Sequence, residues 1–156
     1  MKFTTLLSTV AVAATLFATT ASAQDAAVKG AITARQSLMK LYAFNLGTLG
    51  AMAQGKMDYD AEAASAAASN LAKLTTLNGR ALWVPGSDNM SAEGTRALPA
   101  IWESGSDIGA KAATMREAAA AMDAAAGGGL DSLKGAMGAL GGACGDCHKA
   151  YRAPAN

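Results

Sequence analysis

The feature that most constrains this chain is a short run near its C-terminus, Cys144-Gly145-Asp146-Cys147-His148. It contains the only histidine and both cysteines of the 156 residues. On a helix that turns by roughly 100° per residue, positions three and four residues after Cys144 share its face. Two thiols and an imidazole on one face of a helix can all contact one planar cofactor. Cys-x-x-Cys-His is the pattern by which a c-type haem is attached.

Each of these residues then has its own chemistry. The thiols of Cys144 and Cys147 add to the vinyl groups of the haem, and His148 becomes an axial ligand of the iron. The predicted cofactor is one covalently held haem c per chain, because the pattern occurs once. Few residues follow His148, so nearly all of the polypeptide must surround the haem from the N-terminal side.

Other uses of the motif fit less well. A thioredoxin-like Cys-x-x-Cys needs strands alternating with helices, which this sequence does not predict. A structural zinc ion needs about four protein ligands, and the chain has only three Cys and His residues. A disulfide between Cys144 and Cys147 would span two residues and would leave His148 without a role. No structural disulfide is expected, since the motif uses both cysteines.

Residues 1–23 have the pattern of a secretory signal peptide. Lys2 supplies the positive charge, an apolar stretch follows, and residues 21–23 form a small-residue cleavage site. The apolar stretch is too short, and too often interrupted by threonine, to span a membrane. Export to the periplasm agrees with attachment of haem outside the bacterial cytoplasm. The remaining residues, 24–156, have the size of one domain.

The composition narrows the fold and the partners. Without Lys2, acidic and basic residues are equal in number and form no basic run, so nucleic-acid binding is not expected. No later segment is apolar enough to cross a membrane. Aromatic residues make up only 5% of the chain, whereas alanine is abundant. Alanine is the best helix former, and its small side chain lets helices approach closely, so the chain is predicted to be all-α.

Apolar residues spaced by three and four positions predict four helices. These cover residues 25–54, 60–78, 106–126 and 131–151. The loop between the second and third helices is long, and a short turn is predicted near Pro99 and Trp102. Because the other connections are short, we expect an antiparallel four-helix bundle with the cofactor between helices.

Two details of the second helix can be predicted as well. Asp58 or Asp60 can cap its N-terminus by accepting a hydrogen bond from a free backbone N–H. Leu71, Leu74 and Leu77 are expected to form its buried stripe.

Four segments carry a resemblance to a known family. The most specific is residues 144–152, which places the haem motif at the C-terminal end of a helical domain. The other three are Arg35-Gln36-x-x-Met39-Lys40, Trp83-Val84-Pro85-Gly86 and Leu98-Pro99-x-Ile101-Trp102. Together they resemble the class II cytochromes c, the family of cytochrome c prime and its low-spin relatives. The resemblance covers essentially all of residues 24–156 and implies a left-handed four-helix bundle with covalent haem near one end.

The resemblance also implies roles for three further residues. Arg35 would lie beside a haem propionate, Arg152 would lie near the imidazole of His148, and Met39 would face the opposite side of the iron. Arg35 and Met39 are four residues apart, as are His148 and Arg152, so each pair is expected to share a helix face. An arginine near a propionate can form a charge-assisted hydrogen bond. The alternative for Arg35 is a solvated position at the surface.

Members of the resembled family divide by the sixth position of the iron. An empty position gives five-coordinate, high-spin iron that binds small gases such as nitric oxide or carbon monoxide. A methionine sulfur there gives a low-spin electron carrier with a raised reduction potential. A second histidine is excluded, because His148 is the only one.

Met39 is the expected sixth ligand. Met137 lies on the same predicted helix as His148 and cannot easily reach the opposite face of the haem. The remaining candidates are expected in the core, at the far end of the first helix or in loops: Met115, Met122, Met52, Met57 and Met90. The alternative is that Met39 only packs against the porphyrin as an apolar lid.

The predicted function is therefore a periplasmic monohaem electron carrier with His148 and Met39 as iron ligands and redox proteins as partners. The alternative is a high-spin cytochrome c prime that binds small gases. An enzyme is not expected, because the sequence offers no second histidine, paired carboxylates or activated nucleophile. The alanine-rich faces of the first and second helices could form a homodimer interface, which members of the resembled family often use.

Overall fold

The protein folds as a bundle of four helices. The computed structural model describes residues 7–155, and side chains from residue 23 onward. The helices are α1 (Leu7–Ala53), α2 (Ala61–Thr75), α3 (Ile108–Ala125) and α4 (Leu130–Tyr151). Each packs against the next, and α4 returns to α1, which closes the bundle. The predicted all-α, four-helix architecture is confirmed.

α1 begins at Leu7, well before the predicted start at residue 25. No glycine or proline interrupts the chain between these positions, so nothing in the local sequence ends the helix there. The predicted signal peptide, residues 1–23, lies largely outside the residues described with their side chains. Among residues 7–155, no helix has both the length and the apolar character that a membrane span requires.

α2 ends at Thr75, short of the predicted end at residue 78. The hydroxyls of Thr75 and Thr76 donate hydrogen bonds to carbonyls of the preceding turn, which competes with continuation of the helix. Leu77 lies beyond the helix end and is 58% exposed, so its predicted place on the buried stripe is wrong. Leu71 is fully buried, as predicted.

The packed core fills one end of the bundle. Its fully buried large side chains come from all four helices: Leu49, Met52, Leu71, Met122, Leu133 and Leu140. Burial of each such side chain stabilises the fold by about 2 kcal/mol. Buried alanines of α2 and α3 pack around them and let these helices approach closely: Ala64, Ala67, Ala68, Ala118 and Ala119. This end of the bundle is tightly packed and holds the helices together.

The opposite end of the bundle is crossed by residues 79–107, the connection from α2 to α3, which we call the strap. It contains two short 3₁₀ helices, Gly79–Leu82 and Pro99–Trp102, and the second agrees with the turn predicted there. An isolated antiparallel β-bridge joins Ala97 of the strap to Arg152, just beyond α4. The strap therefore lies against the end of α4 that carries the Cys-x-x-Cys-His motif.

Candidate functional site

Cys144, Cys147 and His148 lie in the last two turns of α4, which continues unbroken through the motif to Tyr151. All three side chains are half-buried. Because the segment is helical, spacings of three and four residues place the two thiols and the imidazole on one face. The structure thus brings the three residues together as the spacing predicts.

An apolar pocket lies beside Cys144, between the four helices. Its other walls are Tyr42, Leu46, Leu71, Met115 and Leu140. The sulfur atoms of Cys144 and Met115 are 3.7 Å apart. α1 and α4 pack against each other less extensively than the other neighbouring helices do. The apolar lining beside the thiols, next to the most loosely packed helix pair, provides the surroundings that a hydrophobic cofactor attached to α4 requires.

The surroundings of the motif set the protonation of its side chains. Burial raises the pKa of the thiols of Cys144 and Cys147. Burial also lowers the pKa of the His148 imidazole, and the positive charges of Arg152 and Arg96 lower it further. These effects favour the neutral imidazole, which is the form of histidine that binds metal ions.

Arg152 lies just beyond α4 as its C-cap residue, and its side chain is exposed. Its backbone N–H donates to the carbonyl of His148 at 3.0 Å, and its charge acts on the imidazole. The expected proximity to His148 agrees with the structure. The expected shared helix face does not, because the backbone of Arg152 is extended and leaves the helix.

Arg35 is buried in α1, with 5% of its surface exposed, so the alternative of a solvated surface arginine is wrong. Its Nη1 donates to the carbonyl of Leu82 at 3.2 Å and to Oγ of Ser87 at 3.0 Å. Its Nη2 donates to the carbonyl of Ser87 and to Oγ1 of Thr95, both at 2.8 Å. Cζ of Arg35 also lies 4.7 Å from the centre of the Trp83 ring.

These contacts bear on the predicted contact between Arg35 and a propionate. A guanidinium has five N–H donors. The strap accepts four of them, so Nε–H is the donor that remains among the hydrogen bonds of the described residues. Burial lowers the pKa of Arg35, but a guanidinium stays charged. The residue fits beside an anionic group, and its contact with a propionate stays a prediction.

Met39 lies on α1, one turn after Arg35, and is 37% exposed. The register between α1 and α4 is inferred from Tyr42 and Cys144, which line the same pocket; burial, together with the charge of Cys144, raises the pKa of Tyr42. The two helices run in opposite directions in this register. Because the helices are antiparallel, three residues before Tyr42 fall near three residues after Cys144, so we expect Met39 to lie near the level of Cys147.

Several residues around the site were not predicted from the sequence. Tyr151 is buried, and its hydroxyl bonds to Asp107 at the start of α3. Ser87 and Thr95 hold the guanidinium of Arg35. Tyr151 follows His148 by three residues, so helical spacing could have indicated it. No local pattern marks Ser87 or Thr95, because their partner is far away in the sequence.

Comparisons with known proteins agree with this geometry. The profile of the Cytochrome C' family matches residues 30–152. Cytochrome c-554 from Cereibacter sphaeroides is 50% identical over 138 residues, which are 88% of this chain and 90% of the relative. The solved structure of cytochrome c' from Rhodobacter Spheriodes is 39% identical, with a TM-score of 0.80, and the match covers 82% of this chain and 98% of that one.

A further solved structure is a nitric oxide complex of a variant of cytochrome c prime from Alcaligenes xylosoxidans. It is 31% identical, with a TM-score of 0.70, and the match covers 81% of this chain and 97% of that one. The motif on α4, the four-helix bundle and these matches lead to one conclusion. The chain belongs to the cytochrome c' family, the class II cytochromes c.

Proposed function

We propose that this protein is a periplasmic electron carrier with one haem held covalently by Cys144 and Cys147. His148 and Met39 are the proposed axial ligands of the iron. The observation that supports the proposal is that Tyr42 of α1 and Cys144 of α4 line one pocket, because Met39 precedes Tyr42 by one turn on a helix that runs antiparallel to α4. The periplasmic location follows from the predicted signal peptide in residues 1–23.

Haem, when bound, supplies the one-electron chemistry, and the chain supplies attachment, ligands and enclosure. The thioether of Met39 is a soft ligand that raises the reduction potential when it pairs with a histidine. Tyr42, Leu46 and Met115 give the pocket beside Cys144 an apolar lining. The packed core beyond them holds α1 and α4 in one arrangement, which suits electron exchange with redox partner proteins.

Binding of a small gas is the second candidate. The matched cytochrome c prime variant from Alcaligenes xylosoxidans was solved with nitric oxide. The two candidates differ in one respect: in a gas-binding protein, Met39 is only an apolar lid and leaves the sixth position free.

The experiment that tests the proposal compares Met39→Leu with Met137→Leu. Leucine is close to methionine in volume, so each variant removes a thioether with little change in packing. Met137 is half-buried on α4, the helix that carries His148, and serves as the control. We expect Met39→Leu to become high-spin, to have a lower reduction potential and to bind carbon monoxide faster. Met137→Leu should resemble the unmodified protein.

If the unmodified protein is already high-spin and binds carbon monoxide as fast as Met39→Leu, the gas-binding candidate replaces the electron carrier.

We also propose that the protein forms a homodimer through α1 and the segment that directly follows α2. Exposed apolar side chains lie there, namely Leu41 (49% exposed), Phe44 (74%) and Leu77 (58%). The alanines expected to form the interface include members that are buried inside the bundle, such as Ala67 and Ala68. Their place at the interface is therefore taken by the leucines and the phenylalanine, and a second copy would remove these side chains from water.

A further inference from the structure

The strap is fastened at both sides of the candidate haem site. On the α1 side, the guanidinium of Arg35 binds Leu82, Ser87 and Thr95. The neighbouring side chain adds to this anchor, because Nε2 of Gln36 donates to the carbonyl of Gly94 at 2.6 Å.

On the α4 side, the strap pairs with the chain around the end of the helix. The N–H of Leu98 donates to the carbonyl of Tyr151 at 3.0 Å. The N–H of Ala153 donates to the carbonyl of Arg96 at 2.8 Å, and the guanidinium of Arg96 donates to the carbonyl of Ala153. These hydrogen bonds lie about one helical turn beyond His148 along the chain.

The strap is ordered between its two anchors. Ser87 and Asp88 are buried, and the carboxylate of Asp88 accepts hydrogen bonds from the N–H groups of Met90 and Ser91. The N–H of Asn89 donates to the carbonyl of Ala97 at 2.8 Å, which closes the segment between Ser87 and Thr95 into a compact loop. Hydrogen bonds within the strap therefore connect its two anchors.

We propose that Arg35 is a positioning residue that acts through the strap and controls whether the sulfur of Met39 reaches the iron. Met39 lies one turn after Arg35, and His148 lies one turn before the strap's contacts with α4. Direct packing between α1 and α4 is slight, so the strap supplies a second connection between the two sides. This inference rests on the proposed function, because it takes Met39 as the sixth ligand.

The inferred role differs from that of a charge beside a propionate. A lysine keeps the positive charge, but it cannot reproduce the fixed fork that binds Ser87 and Thr95 together. If Arg35 acts only as a positive charge, Arg35→Lys preserves its function. If Arg35 acts through the strap, Arg35→Lys does not keep Met39 on the iron. Loss of the hydroxyl of Thr95 then has the same effect as loss of the arginine.

The test uses the haem-loaded protein with Arg35→Lys, Thr95→Val, the double variant of both, and Arg80→Lys as control. Thr95→Val keeps the shape of the side chain and removes Oγ1, which accepts from Nη2 of Arg35 and, within the strap, from the N–H of Ala97. Arg80 is an exposed strap arginine with no side-chain hydrogen bond to the other described residues. The readouts are the high-spin fraction, the rate of carbon monoxide association, and hydrogen exchange at the amides of Leu98 and Ala153.

Carbon monoxide can bind only when Met39 has left the iron, so its association rate reports the fraction of open sites. We expect Arg35→Lys and Thr95→Val each to raise this rate about tenfold, the factor that corresponds to one hydrogen bond to a charged group. Protection of the Ala153 amide should fall in both variants. The double variant should change the rate by less than the product of the two single changes, because both remove the same connection. Arg80→Lys should match the unmodified protein.

The proposal is overturned if Thr95→Val leaves the rate and the exchange unchanged, or if Arg35→Lys does so. It is also overturned if the two single effects multiply in the double variant. A high-spin unmodified protein refutes ligation by Met39 and hence the proposed function. In that event the exchange of Ala153 in Arg35→Lys still decides whether Arg35 holds the strap against α4.

Discussion

The hydroxyl of Tyr151 donates a hydrogen bond to the carboxylate of Asp107 and accepts one from the backbone N–H of the same residue at 2.8 Å. Tyr151 is the last residue of α4, and Asp107 directly precedes α3. The second carboxylate oxygen of Asp107 lies 3.3 Å from Nζ of Lys111. The pair thus fastens the motif-bearing end of α4 to the start of α3.

This relationship predicts a pH-dependent effect of Tyr151→Phe. The hydrogen bond from Tyr151 and the charge of Lys111 lower the pKa of Asp107 below its usual range. A carboxyl group with a lowered pKa in the folded state stabilises the fold above its unfolded pKa of about 4, and this contribution is lost as the pH falls through the folded value. Tyr151→Phe should therefore lower the free energy of unfolding at neutral pH.

The difference between Tyr151→Phe and the unmodified protein should shrink below pH of about 4. Urea denaturation at a series of pH values measures it. A difference that stays constant down to about pH 2 would show that the carboxylate of Asp107 is not involved.

The N-terminus of α2 gives a prediction with a matched control. The carboxylate of Asp60 accepts a hydrogen bond from the N–H of Ala63 at 2.8 Å, so Asp60 is the residue that caps the helix. Asp60→Ala should lower the free energy of unfolding by about 1 kcal/mol, the usual contribution of such a cap. Asp58→Ala, two residues earlier, should have little effect. Equal effects of the two substitutions in thermal denaturation would contradict this assignment.

Covalent attachment predicts a specific pattern of masses. Denatured protein should retain one haem, and Cys144→Ala or Cys147→Ala alone should retain it through the other thioether. The double variant should lose it on denaturation. Mass spectrometry under denaturing conditions distinguishes these species. Retention of haem by the double variant would mean that the cysteines are not the point of attachment.

The proposed homodimer predicts that substitution of one of two exposed residues changes the mass of the protein in solution. Phe44→Gln should convert the protein to a monomer, because it removes the most exposed apolar side chain of the α1–α2 face. Met90→Gln is the control, since Met90 is 80% exposed but lies in the strap. Light scattering after size-exclusion chromatography gives the mass. An unmodified protein that is monomeric at high concentration would rule out this interface.

The sequence predicts the features of this protein that depend on neighbours along the chain. The face shared by Cys144, Cys147 and His148 follows from helical spacing alone, and all four helices follow from apolar periodicity and breakers. Helix ends are less predictable. No helix-breaking residue lies between Leu7 and residue 25, so the sequence does not show where α1 begins. The hydroxyls of Thr75 and Thr76 bond to backbone carbonyls and end α2 before the predicted residue.

Features that depend on distant partners were missed or only partly predicted. The resemblance indicated Arg35, but its burial depends on Ser87 and Thr95, which are more than fifty residues away. Ser and Thr are common in loops, so nothing marks these two as acceptors for a guanidinium. The exposure of Phe44 is equally non-local, because apolar spacing does not tell which face of α1 remains uncovered.

Electron paramagnetic resonance of the oxidised, unmodified protein at neutral pH tests the assignment of Met39 most directly, because it reports the spin state of the iron without any substitution. Ligation by both His148 and Met39 predicts a low-spin signal with no high-spin component. A predominantly high-spin signal would show that the sixth position is free. Met39 would then be a lid, and the protein a gas binder.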